Sequence, residues 1–154
     1  MSKDMDIRKS SRLIIVDKKG RLLLFLYQDE HQGPFWATAG GELKEGESYL
    51  EAAKRELYEE TGLRLKIDVL LKERDEIYPV ARSSPARWLE KYYLVSCPEN
   101  SEIYAAQWTD EEKSTIQEWK WWSFDEMVEE GGDSFKPNWL ADLLHSVIES
   151  TENA

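Results

Sequence analysis

The chain has a single cysteine, Cys97, among 154 residues. No intramolecular disulfide can form, which fits a reducing, cytoplasmic setting. Cys97 itself reads as a packing residue at a strand end rather than a nucleophile. Histidine is nearly as scarce, and His31 and His145 are too far apart to supply zinc-ligand spacing. The longest apolar run, Leu22 to Tyr27, is far short of the ~20 residues needed to cross a bilayer. The polar N-terminus, MSKDMDIRKSS, has no apolar h-region, so no secretory signal is expected. Repeats, low-complexity tracts and Pro- or Ser-rich linkers are missing too. One domain is therefore expected over residues 10–150, behind a loose polar stretch at 1–9. Basic residues are in deficit: 20 against 31 acidic ones give a net charge of −11. That disfavours non-specific binding to nucleic acid or to an anionic membrane. It does not exclude a small phosphorylated ligand, because a metal can locally invert the field of carboxylates.

What the chain does have is 41% apolar content, enough for a substantial core. Arg12 to Val16 and Arg21 to Tyr27 flank Asp17-Lys18-Lys19-Gly20 and predict a hairpin of strands covered on both faces. After Gln32-Gly33-Pro34, Phe35 to Thr38 predicts a short strand, and Gly40-Gly41 permits a tight turn with close backbone approach. Ser48 with Glu51 predicts a capping box, and Gly62 predicts the helix stop. Leu50, Ala53 and Leu57 would face the core. Leu63 to Leu71 and Trp88 to Ser96 predict strands separated by a loop from Asp75 to Arg87, which carries Pro79 and Pro85. Glu118 to Trp122 alternates as a strand. Ser123 with Glu126 predicts a second capped helix ending near Gly131-Gly132. Asn138 to Glu149 predicts the last helix, with Leu140, Leu143, Val147 and Ile148 inward. Strands interleaved with two or three helices imply an α/β arrangement, a sheet between helices.

The helix after Ser48 carries the chemistry. Glu56, Glu59 and Glu60 lie at i, i+3 and i+4, which puts their carboxylates on one side of a single turn. Like charges stacked this way weaken a helix, and a hard divalent cation with oxygen ligands is the best offset. Such an ion keeps several waters and binds substrate through phosphates, which points to metal-assisted chemistry on a phosphate ester or anhydride. The plainer alternative is a solvated acidic face.

Gly41, Glu47, Arg55, Glu56, Leu57, Glu59, Glu60, Gly62 and Leu63 follow the spacing G-x5-E-x7-R-E-U-x-E-E-x-G-U, where U is bulky and apolar. This segment resembles the signature of the Nudix hydrolases at every fixed position, and the likeness is looser over residues 10–148. The resemblance implies an α/β/α sandwich with a mixed sheet. It also implies a Mg²⁺ cofactor, with Mn²⁺ able to substitute, and hydrolysis of a phosphoanhydride in a nucleoside diphosphate linked to another moiety. By the same resemblance Glu59 and Glu60 are metal ligands, Glu56 is a ligand or general base, and the Gly40 carbonyl is a further ligand. Arg55 and Glu47 are supports that hold the carboxylates in register, and Gly41 opens the motif. One more acid from a later stretch is expected, with Glu90, Glu111, Glu112 and Glu118 as candidates. For phosphate neutralisation the candidates are Arg12, Lys44, Arg74, Arg82, Arg87 and Lys91. For base stacking they are Trp36, Tyr78 and Trp88. Structural or solvated roles are the alternative for each.

The small size resembles the MutT-like branch, which ranks a nucleoside or deoxynucleoside triphosphate first. Pro79, 16 residues past Leu63, matches a spacing similar to that of ADP-ribose hydrolases. That ranks ADP-ribose or another nucleotide sugar second, ahead of capped RNA and dinucleoside polyphosphates. Ala39-Gly40-Gly41 departs from the family's usual Pro-Gly-Gly. A non-catalytic nucleotide-binding module and a protein–protein module are the rival readings. Oligomeric state stays open, a homodimer included.

Overall fold

The computed structural model describes residues 6–28, 34–78, 85–98, 103 and 116–152. Arg82, Glu111, Glu112, His31 and Pro79 lie outside them. The elements are β1 (Ile7–Asp17), β2 (Leu22–Tyr27), β3 (Phe35–Ala37), β4 (Ala39–Glu42), α1 (Tyr49–Thr61), β5 (Leu70–Tyr78), β6 (Ala86–Cys97), β7 (Ile116–Trp122), α2 (Phe124–Glu130) and α3 (Leu140–Glu152). The strands form one mixed sheet of order β3-β2-β1-β6-β5, with β4 paired to β1 and β7 to β2. β1 and β6 are parallel from Ile7↔Arg87 to Asp17↔Cys97, and the other pairings are antiparallel.

The expected hairpin is there, but it splays at once. β1 and β2 pair only at Val16↔Leu22, where Asp17 accepts the amides of Lys19 and Arg21. Beyond that point β4 takes the edge of β1, from Ser10↔Glu42 to Leu13↔Ala39, and β3 takes the edge of β2. Thr38 joins these two short strands, and Gly40 and Gly41 lie within β4 opposite Arg12 and Ser11.

Strand alternation sorts the apolar residues onto two faces. Leu13, Ile15, Leu23, Phe25, Tyr93 and Val95 pack with Ala53 and Leu57 of α1. Ile14, Leu22, Leu24, Tyr92 and Trp122 pack with Met127 of α2 and Leu140 and Leu144 of α3. Leu13 to Ile15 and Leu22 to Phe25 have no exposed surface at all. Each such side chain contributes about 1.5–3 kcal/mol by leaving water. This is the α/β/α sandwich that the sequence implies.

Four local expectations need correction. β1 begins at Ile7 because its parallel partner β6 extends to Arg87, so residues 7–9 are strand rather than loose chain. Residues 63–69 form no strand. Leu63 and Ile67 are buried in the α1-side core, and the segment is hydrogen-bonded to β6 through Asp68, Val69 and Leu94. The strand that follows runs on through Tyr78, so Asp75 to Tyr78 are paired with β6 rather than looped. Leu50, at the second position of α1, is 48% exposed, since Tyr49, Ala53 and Leu57 form the face that meets the sheet.

Candidate active site

α1 starts and stops where its local chemistry dictates. The Ser48 side chain accepts the Glu51 amide while the Glu51 carboxylate accepts the Ser48 amide, and Gly62 ends the helix in the left-handed region at φ 75°. Between these caps, the repulsion among the glutamates is met from inside the protein. Arg55 donates to both oxygens of Glu47 at 2.8 Å, to Glu56 Oε1 at 2.7 Å, to Glu59 Oε2 at 3.1 Å and to the Glu42 carbonyl at 3.1 Å. A guanidinium has five N–H donors, and all are used. The fork on Glu47 is bidentate, the strong geometry for such a pair. Hydrogen bonding from Arg55 holds the Glu47 carboxyl at about 2, against an ordinary 4.5, and the Lys44 amide assists. The same contacts raise the Arg55 pKa further.

The two glycines serve opposite faces of the sheet. A Cβ on Gly41 would lie 2.5 Å from Glu56 Oε1, so the missing side chain is the space that the Glu56 carboxylate occupies. Gly40 has φ +135°, and a Cβ there would overlap the Ser11 carbonyl oxygen and crowd the Arg12 side chain. Its amide donates to Glu60 Oε1 at 3.2 Å, and its carbonyl lies 3.5 Å from Arg12 Nη1. Glu56 and Glu60 are buried. Among the described residues no three acidic, histidine or cysteine side chains are gathered around one point that could hold an ion. The i, i+3, i+4 spacing does bring the glutamates to one turn, but Arg55 lies between Glu56 and Glu59, and Glu60 turns to the Gly40 amide.

A second polar knot lies across the sheet from α1. The Glu90 carboxylate has no exposed surface and accepts four bonds: Ser10 Oγ at 2.5 Å, Tyr78 Oη at 2.6 Å, Arg12 Nε at 2.9 Å and Arg74 Nη1 at 3.1 Å. Burial pushes this carboxyl up. The charge of Arg12 and the hydrogen bonds from Ser10, Tyr78 and Arg12 outweigh burial and leave it at about 2. Tyr78 stacks on Trp88 at 5.6 Å and 18°, Arg8 covers the other side of Trp88 at 4.4 Å, and Arg74 lies over Tyr78 at 4.5 Å.

A fold of this topology, with a glutamate-bearing helix against a double glycine, can be compared directly with known proteins. A sequence model of the NUDIX domain matches residues 6–143. The chain belongs to the Nudix family. Its curated relatives include the RNA pyrophosphohydrolase of Bartonella quintana, 27% identical over 135 residues that cover 77% of this chain and 78% of that protein. Among solved structures it resembles the MutT protein of Methanosarcina mazei, with a TM-score of 0.72 at 16% identity over 97% of this chain and 99% of that one. It also resembles a Caenorhabditis elegans Ap4A hydrolase, with a TM-score of 0.67 at 20% identity over 93% and 98% of the two chains. The enzyme class is therefore Nudix hydrolase, acting on nucleoside diphosphate derivatives.

Against this Nudix frame the other candidate residues separate. Tyr78, Trp88, Arg12 and Arg74 are brought together with Glu90. Trp36 is not. It meets Trp122 edge-on at 5.1 Å and bridges to the backbone of Phe135, within the core beneath α3. Glu118 is exposed on β7 opposite Leu26. Arg87 pairs with exposed Asp75, and Lys91 lies over the Tyr49 ring near α1. Lys44 contributes its amide to Glu47 and is itself exposed. His145 stacks on Phe124 and faces Glu149. Cys97 is buried at the end of β6. Among the described residues no helix is long and apolar enough to cross a membrane. The residue missed from sequence is Ser10. Arg8 to Arg12 is an unbroken polar run in which nothing local singles out Ser10; only the parallel register, Arg8↔Trp88 and Ser10↔Glu90, puts it against the carboxylate.

Proposed function

We propose that this chain is a Mg²⁺-dependent pyrophosphohydrolase of nucleoside or deoxynucleoside triphosphates, with Glu56, Glu59, Glu60 and the Gly40 carbonyl as the metal-holding set. The observation that carries the reading is the Arg55 knot. One guanidinium orients Glu47, Glu56 and Glu59 together, and the Gly40 amide orients Glu60. Carboxylates and a carbonyl are the oxygen donors that a hard divalent ion takes, and the cradle left by Gly41 keeps room for the Glu56 carboxylate. When bound, the ion neutralises phosphate charge and polarises the scissile anhydride.

The residues have separate tasks. Arg55 partly neutralises Glu56 and Glu59 while they wait for the ion, which keeps a mutually repelling pair on one turn of α1. Glu47, held ionised by Arg55, fixes the guanidinium from the loop side. Glu56 is the base of choice for the attacking water. It is buried against Gly41 and has Oε1 on Arg55, which fixes the carboxylate whether it holds the ion or takes the proton of the water. The likeness to an RNA pyrophosphohydrolase supports a second reading in which the triphosphate is the 5′ end of an RNA. The chemistry at phosphorus is the same.

The test is a panel of nucleoside triphosphates, ADP-ribose, dinucleoside polyphosphates and 5′-triphosphorylated RNA, read by phosphate or pyrophosphate release with Mg²⁺ or Mn²⁺. Wild type should turn over at least one triphosphate. Glu59→Gln and Glu60→Gln should each lose roughly 10–100-fold or more and lose the rise in melting temperature that Mn²⁺ gives wild type. Undiminished turnover in both variants sinks the assignment.

A further inference from the structure

Glu90 is one of four candidates for a late metal-binding acid, yet its surroundings give it a different job. We propose that Arg12 binds a phosphate oxygen of the substrate and that Glu90 is the positioning residue that holds it there. The inference rests on the pyrophosphohydrolase reading above and names a residue outside the signature helix that grips the phosphate chain.

Four donors already converge on the Glu90 carboxylate, two of them charged. A carboxylate so saturated has no lone pair to give a metal without breaking a buried bond, and breaking one leaves an unmet donor. Arg12 is bound to Glu90 through Nε and donates through Nη1 to the Gly40 carbonyl at 3.5 Å, which leaves Nη2 as the nitrogen to offer a ligand. The Gly40 amide in turn bonds Glu60. The guanidinium is thus one peptide unit from the glutamate helix but reaches it from the opposite face of the sheet. A planar guanidinium anchored at Nε and Nη1, on a side chain that keeps 23% of its surface exposed, is suited to grip a phosphate oxygen.

The balance of donors and acceptors points the same way. Arg12 and Arg74 share the one buried carboxylate, and only Glu76, at the exposed end of Arg74, adds a second. A face on which two guanidinium groups converge on one carboxylate, next to the residues that would hold the metal, is matched by a ligand rich in acceptors and negative charge. A phosphate chain is such a ligand. The aromatic pair Tyr78 and Trp88, covered by Arg8 and Arg74, then acts as the wall that keeps the arginines extended rather than as an open slot for a base.

The experiment uses the full chain and four variants, Arg12→Ala, Arg12→Lys, Glu90→Gln and Tyr78→Phe. The first readout is binding without metal: with EDTA present, inorganic pyrophosphate should raise the melting temperature of wild type, and Arg12→Ala should lose that rise. Kinetics on the best triphosphate of the panel should show KM up about tenfold or more in Arg12→Ala, partly recovered in Arg12→Lys. Glu90→Gln should move KM in the same direction while Mn²⁺ affinity stays at the wild-type value. Tyr78→Phe, which removes one of four bonds and keeps the ring, provides a milder shift of the same kind if Glu90→Gln does not fold. The proposal is overturned if Arg12→Ala keeps pyrophosphate stabilisation and KM, or if Glu90→Gln weakens Mn²⁺ binding tenfold with KM unchanged, which would make Glu90 a ligand. A wild type that turns over nothing in the panel removes the enzymatic reading but leaves the pyrophosphate result to stand or fall alone.

Discussion

Gly40 and Gly41 are neighbours with different reasons to lack a side chain, and the difference is measurable. At Gly41 the three atoms nearest to an added Cβ all belong to the Glu56 carboxylate, the far end of a side chain. Gly41→Ala should therefore fold with nearly wild-type stability and displace Glu56 from its seat beside Arg55. We expect kcat to fall roughly 10–100-fold with little change in the urea midpoint. At Gly40 the crowded atoms are the Ser11 carbonyl oxygen and Arg12 Cα, which cannot step aside, and φ is +135°. Gly40→Ala should cost at least the roughly 1–3 kcal/mol of such a backbone conformation, and more for the overlap. Urea unfolding and turnover of both variants separate the two cases, and a Gly41→Ala enzyme of full activity would remove Glu56 from the mechanism. The double glycine was legible as a place of close approach. Its division of labour was not, because one sequence does not say which face each residue serves until the register with Ser11 and Arg12 is known.

α1 is a helix that its surface charges oppose and its ends support. No basic residue stands in its last turn, so nothing there complements the helix dipole. The capping box at Ser48 and the Gly62 stop carry the termini, while Ala53 and Leu57 fix the rotation that turns Glu56 toward Gly41. Ser48→Ala removes the acceptor for the Glu51 amide and should cost about 1 kcal/mol. Its effect on kcat should be small, because Arg55 still grips Glu47, Glu56 and Glu59 about two turns later. Urea midpoints and single-substrate kinetics check both statements, and a large loss of kcat would mean that the first turn, not Arg55, sets the glutamates. Both capping boxes and the alternating strands were readable because each is written in residues within four positions of one another. The errors fell where distant partners decide. Leu63, Leu65 and Ile67 alternate like a strand, yet they are coil that covers the α1-side core, since β6 is paired by the later segment. The Glu90 knot draws on β1, β5 and β6 and has no local signature at all.

At the scale of the whole molecule, two opposed electrostatic effects govern how stability depends on pH. The net charge of −11 favours expansion at neutral pH, and acid relieves it. Against this, Glu47 and Glu90 both titrate at about 2 in the folded chain, below the ordinary 4.5. A carboxyl with a depressed folded pKa stabilises the fold above its unfolded pKa, and that stabilisation is lost as pH falls through the folded one. The unfolded chain binds more protons across this window, so unfolding free energy must rise with pH from about 2 to about 4.5 on account of these two groups. The general repulsion acts between exposed side chains and is screened within about 8 Å at physiological salt, whereas the Glu90 contacts are 2.5–3.1 Å long and buried. The paired carboxylates should therefore win at 0.15 M salt, and urea midpoints should fall steeply as pH drops below about 4.5. Glu90→Gln, neutral at every pH, should be less stable than wild type at pH 6 and should lose less on acidification, so that the two curves converge near pH 2. Parallel curves for wild type and Glu90→Gln would show that the Arg12 and Arg74 contacts do not hold that carboxylate ionised, and the proposed anchoring of Arg12 would lose its physical basis.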